Sequence, residues 1–383
     1  MIEPLRQISG VNVAQFMRED WHVRPRLFRQ AFPAFEPLCD FETIADMASD
    51  PDIESRLIKQ GKEGWQLEHG PFEKLPSLKT KGWTVLVQGI DHHLPEAYDL
   101  LQQFRFVPDA RLDDVMLSLA SDTGGVGPHY DSYDVFLLQM HGTRRWQIGP
   151  LRDTTLKADC PLKILERFVP TEEYLLEPGD MLYLPPNYGH DGVAQGVCST
   201  LSIGFRAPTK AEMLASTLRD LADQVEQIPE LCNTLFSDPV RGNTATPAEL
   251  PDDMLNFAHL LLQQFKPQSA QILRSVGMQL TEPKPHVYFE NNTDDMQLQE
   301  IVRVLGERGI ALSMKTKMLY KESVFFINGE QIEPKSSDTC KLLQLLANRR
   351  EMASTQAIAA LQNSEFQYFL VGFAKAGWVE TLT

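Results

Sequence analysis

His129 and Asp131 stand two residues apart, and a third candidate ligand, His190, follows Asp131 by 59 positions (190 minus 131). Side chains alternate between the faces of an extended strand, so residues 129 and 131 share a face and can address one ion together. No local structure brings residue 190 to them. Only a fold that returns a distant strand beside the first can do so. Two imidazoles and one carboxylate form a facial triad that leaves three adjacent octahedral positions open. That donor set points to non-haem iron(II), with room for a bidentate 2-oxo acid and for oxygen.

The surroundings of the triad predict how the strand returns. Asp114–Ala120 reads as a buried strand, and Gly124, Gly125, Gly127 and Pro128 form a turn that delivers His129 to the start of the next. Val135–Met140 is a second apolar run, which Gly142 is expected to turn into a separate strand, Arg144–Ile148. Leu176–Asp180 reads as a turn and Met181–Leu184 as a short buried strand, ended by Pro185 and Pro186 just before His190. Short strands punctuated in this way predict a double-stranded β-helix, the cupin barrel. Three other histidines compete as ligands. His92 and His93 are neighbours and would face opposite ways on a strand, and His141 sits beside a turn glycine, so all three are read as structural.

Five segments around the triad carry a wider pattern: Arg111-Leu-Asp-Asp-Val-Met-Leu-Ser118, Gly124-Gly-Val-Gly-Pro-His-Tyr-Asp-Ser-Tyr-Asp-Val-Phe136, Arg144-Arg-Trp146, Glu177-Pro-Gly-Asp180 with Leu184-Pro-Pro186, and Ser202-Ile-Gly-Phe-Arg-Ala-Pro208. With Trp21-His-Val-Arg-Pro25 they resemble the JmjC-type 2-oxoglutarate oxygenases, and within them the bacterial ribosomal oxygenases. The resemblance implies that His129, Asp131 and His190 bind Fe(II) and that Ser118 and Arg144 hold 2-oxoglutarate, with oxygen as the second co-substrate. It also implies hydroxylation of the β-carbon of an arginine in the sixteenth protein of the large ribosomal subunit. Other readings remain open: a JmjC oxygenase acting on histidine or methyl-lysine of another protein, or a peptide-binding cupin without catalysis.

Arg144 has a physical case of its own. A distal carboxylate suits a planar, permanently charged, bidentate partner, which arginine offers and lysine does not. Its neighbour Arg145 should point to the opposite face. A guanidinium substrate in turn asks for carboxylates near the metal, and Asp122, Asp134 and Asp191 are the candidates beside the motif residues, each also able to serve a turn or cap.

The formal charge is −16, with no basic cluster to neutralise phosphates, so direct nucleic-acid binding is not expected. An acidic enzyme does suit a basic protein partner such as a ribosomal protein. Five scattered cysteines without a Cys-x-x-Cys pair read as reduced thiols, and no stretch approaches the length of a membrane span. A cytoplasmic, non-membrane protein is expected. Three parts are expected: a JmjC/cupin catalytic domain over 1–207, a helical dimerisation domain over 208–280, and a winged-helix-like C-terminal domain over 281–383. The second opens at a capping box from Thr209 to Glu212 and continues in helices at 252–265 and 268–280, after a polar stretch from Ser237 to Pro251. Such a small helical unit often needs a partner to bury its second face, and a homodimer is expected. In the third, Asn328-Gly329 reads as a hairpin turn, and 11 Lys and Arg against 12 Asp and Glu from residue 284 onward argue against a DNA-binding face.

Overall fold

The structure, a computed structural model, describes every residue except Met1, Pro33, Glu63, Val240, Arg241, Asn292, Asp294, Asp295 and Thr383. It divides into two compact units. Residues 1–207, 283–317 and 335–383 make the first, and 208–282 with 318–334 the second.

The first unit is built on an antiparallel nine-stranded sheet. Its strands are β1 (Arg26–Phe28), β2 (Ser55–Gly61), β3 (Gly64–His69), β4 (Trp83–Val87), β5 (Leu112–Ala120), β6 (Val135–Pro150), β7 (Glu172–Leu176), β8 (Met181–Leu184) and β9 (Tyr188–Phe205). The order is β1-β8-β6-β9-β5-β4-β2-β3, with β7 also on β6. Alternation sets the faces. From β5, Val115, Leu117 and Leu119 enter the main apolar core, while Met116 and Ser118 turn the other way into a cavity. The core is rich in aromatic rings: Phe136 lies 5.0 Å from both Phe104 and Tyr183, and 5.5 Å from Phe16. Each such side chain stabilises the fold by about 1.5–3 kcal/mol on burial.

The expected break after Met140 does not occur. β6 is one 16-residue strand that bends at Gly142, whose φ of +58° favours glycine. Its partner β9 bulges at the same level, between Gln195 and Ser199, so the two strands bend together. The bend has a consequence for side-chain direction. Before it, Val135 and Leu137 face the cavity; after it, Arg144 and Trp146 do. The inward parity has switched from odd to even.

The helix Val13–Glu19 is capped by Asn12, and Phe41–Ser49 by Asp40. Still in the first unit, strands Ile310–Leu312, Glu351–Met352 and Val379–Thr381 form a small sheet beside helices Leu298–Arg308, Ser337–Arg349, Ser354–Ala360 and Ser364–Lys375. The second unit holds helices Lys210–Val225, Asp252–Gln264 and Ser269–Thr281 and a three-stranded meander, Met318–Lys321, Val324–Ile327 and Glu330–Ile332. The Thr209/Glu212 capping box is present, and Asn328 and Gly329 take the positive φ of a tight hairpin turn. Where described, the polar stretch from Ser237 to Pro251 carries no helix or strand; Val240 and Arg241 lie outside the described residues.

Candidate metal and co-substrate site

His129 and His190 meet as a hydrogen-bonded antiparallel pair. The His129 amide donates to the His190 carbonyl at 3.0 Å and the His190 amide returns a bond to the His129 carbonyl at 2.9 Å. This exchange places both rings on one face, centroids 4.2 Å apart. Asp131 lies two residues on, and its Oδ2 is 3.6 Å from His190 Nε2. Its carbonyl accepts the Asn187 amide at 2.7 Å, which ties the turn after Pro185-Pro186 to the Asp131 end. Ligand atoms of all three residues fall within 4.8 Å of one another. Among the described residues this is the one such group of three or more His, Cys, Asp or Glu side chains.

The second contact of each ring fixes its chemistry. His129 Nδ1 faces the Gly127 carbonyl at 2.9 Å, and His190 Nδ1 faces the Tyr188 carbonyl at 3.0 Å. Each Nδ1 must therefore carry the proton and donate, which leaves Nε2 as a lone-pair donor toward the shared space. Burial, then the neighbouring His129, pushes the His190 value down to about 4. A neutral imidazole is the form a metal requires.

Arg144 supplies the strongest sign of a ligand. It is buried, and one Nη donates to the Ser118 hydroxyl at 3.0 Å. Its Nε and other Nη have no hydrogen-bond partner, although both atoms are shielded from solvent. Leaving charged donors idle costs several kcal/mol unless a ligand accepts them. The guanidinium carbon lies 5.8 Å from the Trp146 ring, and that indole fits because Gly192 stands opposite: a Cβ there would come within 2.6 Å of it. Arg145, as expected, points away and pairs with Glu173 at 3.2 Å.

The triad, Ser118 and Arg144 line one cavity of about 500 Å³, with Val135, Leu137, Tyr133 and Trp146 among its walls. The donor set fits an octahedral cation with open positions, and the idle guanidinium fits a dicarboxylate reaching from that cation.

Of the three candidate substrate carboxylates, none lines this cavity. Asp122 is held by Lys81 at 2.6 Å and by the Gly196 amide. Asp134 accepts from Tyr183 at 2.6 Å and from Arg111 at 3.2 Å, with His22 at 3.3 Å, a network that seats the Trp21–Pro25 segment; Trp21 stacks on Tyr183. Asp191 follows His190 on β9 and so points to the other face, and burial raises its carboxyl. Besides Asp131, the carboxylates that line the cavity are Asp113 and Asp114 at the start of β5, with Gln88 and Arg56 beside them. Both lie inside the Arg111–Ser118 segment. In the sequence Asp114 reads as a strand start and Asp113 stands only within the wider pattern, because the residues around them come from elements far apart in the chain.

Of the remaining histidines, His141 is bonded to Ser199 at 2.7 Å, and burial drives His92 down to about 3.

A family model described as JmjC domain matches residues 99–213, and one described as ROXA-like winged helix matches residues 261–380. The chain is 32% identical to the "Ribosomal protein uL16 3-hydroxylase" of Escherichia coli K12, over 96% of this chain and 97% of that protein. It is 29% identical to the "Probable ribosomal oxygenase" of Haemophilus influenzae, over 87% of this chain and 85% of that one. A solved structure of "YcfD a Ribosomal oxygenase from Escherichia coli in complex with Cobalt and 2-oxoglutarate" superposes with a TM-score of 0.80 at 29% identity, covering 98% and 99% of the two chains. The fold is thus a cupin barrel with a C-terminal winged helix, and the chain belongs to the JmjC-domain ribosomal oxygenases.

Proposed function

We propose that this chain is an Fe(II)- and 2-oxoglutarate-dependent hydroxylase acting on the β-carbon of an arginine in uL16, the sixteenth large-subunit ribosomal protein. The observation that carries the reading is the buried Arg144 guanidinium with two idle donors, in the same cavity as His129, Asp131 and His190. A peptide-binding module without catalysis has no use for that arrangement. The 32% identity to a uL16 3-hydroxylase supports the substrate.

In this reading His129 and His190 bind iron through Nε2, each held by its Nδ1 bond to a carbonyl, and Asp131 binds through its carboxylate. Arg144, steadied by Ser118, grips the distal carboxylate of 2-oxoglutarate. Iron(II) with 2-oxoglutarate and oxygen supplies the oxidising chemistry that inserts one oxygen into a C–H bond. The protein's share is placement and exclusion of water. Asp113 and Asp114 offer the acceptors for a substrate guanidinium, and the apolar walls Val135, Leu137 and Trp146 limit solvent beside the triad.

Incubating the chain with iron(II), 2-oxoglutarate and recombinant uL16 tests this. A gain of about 16 Da on one arginine, accompanied by succinate, is the expected result. Succinate without a mass gain on uL16 would remove the substrate and keep the oxygenase.

The three-part division at 207 and 280 is proposed as the functional organisation, to be checked by limited proteolysis. A homodimer through the helical part is also proposed. Its support is the apolar surface of helices Lys210–Val225 and Asp252–Gln264, where Leu218, Leu255 and Leu262 stand exposed and the second helix buries no residue. Leu262→Glu should convert the dimer to a monomer in sedimentation. No described helix is long and apolar enough to cross a membrane, and a ribosomal substrate accords with a cytoplasmic location. No direct contact with nucleic acid is part of the reading.

A further inference from the structure

The segment Thr281-Glu-Pro-Lys-Pro285 has no place in the chemistry above, yet its lysine reaches the cavity's carboxylates. Lys284 Nζ lies 2.9 Å from Asp113 Oδ1 and 2.9 Å from Asp114 Oδ2. Pro283 and Pro285 bracket it, which fixes φ on both sides and confines Lys284 to extended backbone. The ammonium is thus aimed by a stiff stretch of chain. Gln88 Nε2 donates to the same Asp114 oxygen at 2.8 Å, and Gln88 Oε1 in turn accepts from Arg56 at 3.2 Å. On the other side, Arg206 Nε and Lys317 Nζ stand 3.4 Å and 3.9 Å from Asp113 Oδ1.

Charge decides what this arrangement can accept. Lys284, Lys317 and Arg206 already set three cations around the two carboxylates of Asp113 and Asp114, so the pair is fully matched without substrate. An added guanidinium would deepen an excess of positive charge in a half-buried site, which is unfavourable. One resident must yield. Lys284 is the most solvent-accessible of the three, on a flexible four-carbon stem.

We infer that Lys284 is a specificity-determining residue: its ammonium holds the Asp113–Asp114 pair in the substrate's place, so the pocket admits only a cation that binds the two carboxylates better than an ammonium does. A substrate lysine gains nothing over the resident lysine. A guanidinium presents two parallel donors to two carboxylates and wins the exchange. This rests on the guanidinium reading of the cavity given above, and it sharpens that reading by making the C-terminal half of the chain select arginine over lysine.

The test is calorimetric titration of the full chain, wild type, Lys284→Met and Lys284→Arg, with N-acetyl-argininamide and N-acetyl-lysinamide; thermal melting of each variant reports the fold. Wild type should prefer the arginine probe. Lys284→Met should bind the lysine probe on the order of tenfold more tightly and lose most of the preference, since the incoming ammonium no longer meets a rival. Lys284→Arg, a stronger rival, should weaken both probes. An unchanged arginine-to-lysine ratio in a folded Lys284→Met would overturn the inference and leave the guanidinium reading standing. Wild type with no preference between the probes would bring down the guanidinium reading and this inference with it.

Discussion

The two ends of the cavity are built on opposite plans. At the metal end, lone pairs and donors are left open: His129 and His190 present Nε2, and Arg144 keeps two N–H groups without acceptors. At the carboxylate end the charges are already matched, Asp113 and Asp114 sharing Lys284, with Gln88 on one and Arg206 near the other. Each end therefore gains affinity in its own way. The first is pre-organised and gains the full value of its ligand; the second must exchange one partner for another, so it gains a difference, which favours selectivity over strength.

The largest effect is expected at the metal end. Replacing His129 or Asp131 by alanine should reduce succinate formation by about a thousandfold or more, because the ion is lost along with several kcal/mol of charge stabilisation; metal content by atomic absorption should fall in parallel. If activity survived either change, the triad would not be the metal site.

Arg144→Lys keeps the charge and removes the fork. The KM for 2-oxoglutarate should rise about 10- to 100-fold with a smaller effect on kcat, as expected for one or two lost charge-assisted hydrogen bonds. At the carboxylate end, Asp114→Asn should raise the KM for the protein substrate about tenfold and leave the KM for 2-oxoglutarate unchanged. A variant that moved both constants equally would show that the two ends are not separable.

The smallest effect concerns Lys317, which burial pushes down from 10.5 to about 8. Between those values the unfolded chain holds the proton more tightly than the folded chain, so stability should rise with pH from about 8 to 10.5 and be insensitive to this group below 8. Comparing urea midpoints of wild type and Lys317→Met across pH 7 to 10 isolates the contribution. A difference between the two chains that did not change with pH would remove Lys317 from the titrating cluster.

The metal end was legible because its residues speak locally. His129 and Asp131 share a strand face, the glycine and proline turns announce where strands begin and stop, and residues two positions away provide the carbonyls that orient both rings. The Thr209 cap and the Asn328-Gly329 hairpin are readable for the same reason: each is set by a few neighbouring residues. The carboxylate end was not. Asp122, Asp134 and Asp191 lie near the ligands in sequence, but Lys81, the Tyr183–Arg111–His22 network and strand parity take them elsewhere.

Residue type and short-range periodicity are enough to single out His129, Asp131 and His190, the class of barrel and the turns that punctuate it. Tertiary packing set three other features. It made β6 one bent strand, because Gly142 and the bulge in β9 coincide, and that bend turns Arg144 rather than Arg145 inward. It chose Asp113 and Asp114 as the cavity's carboxylates, and it brought Lys284 to them across 170 residues of chain. Side-chain direction and charge pairing depend on which strands meet and in what register, and that is fixed only when the whole sheet has formed.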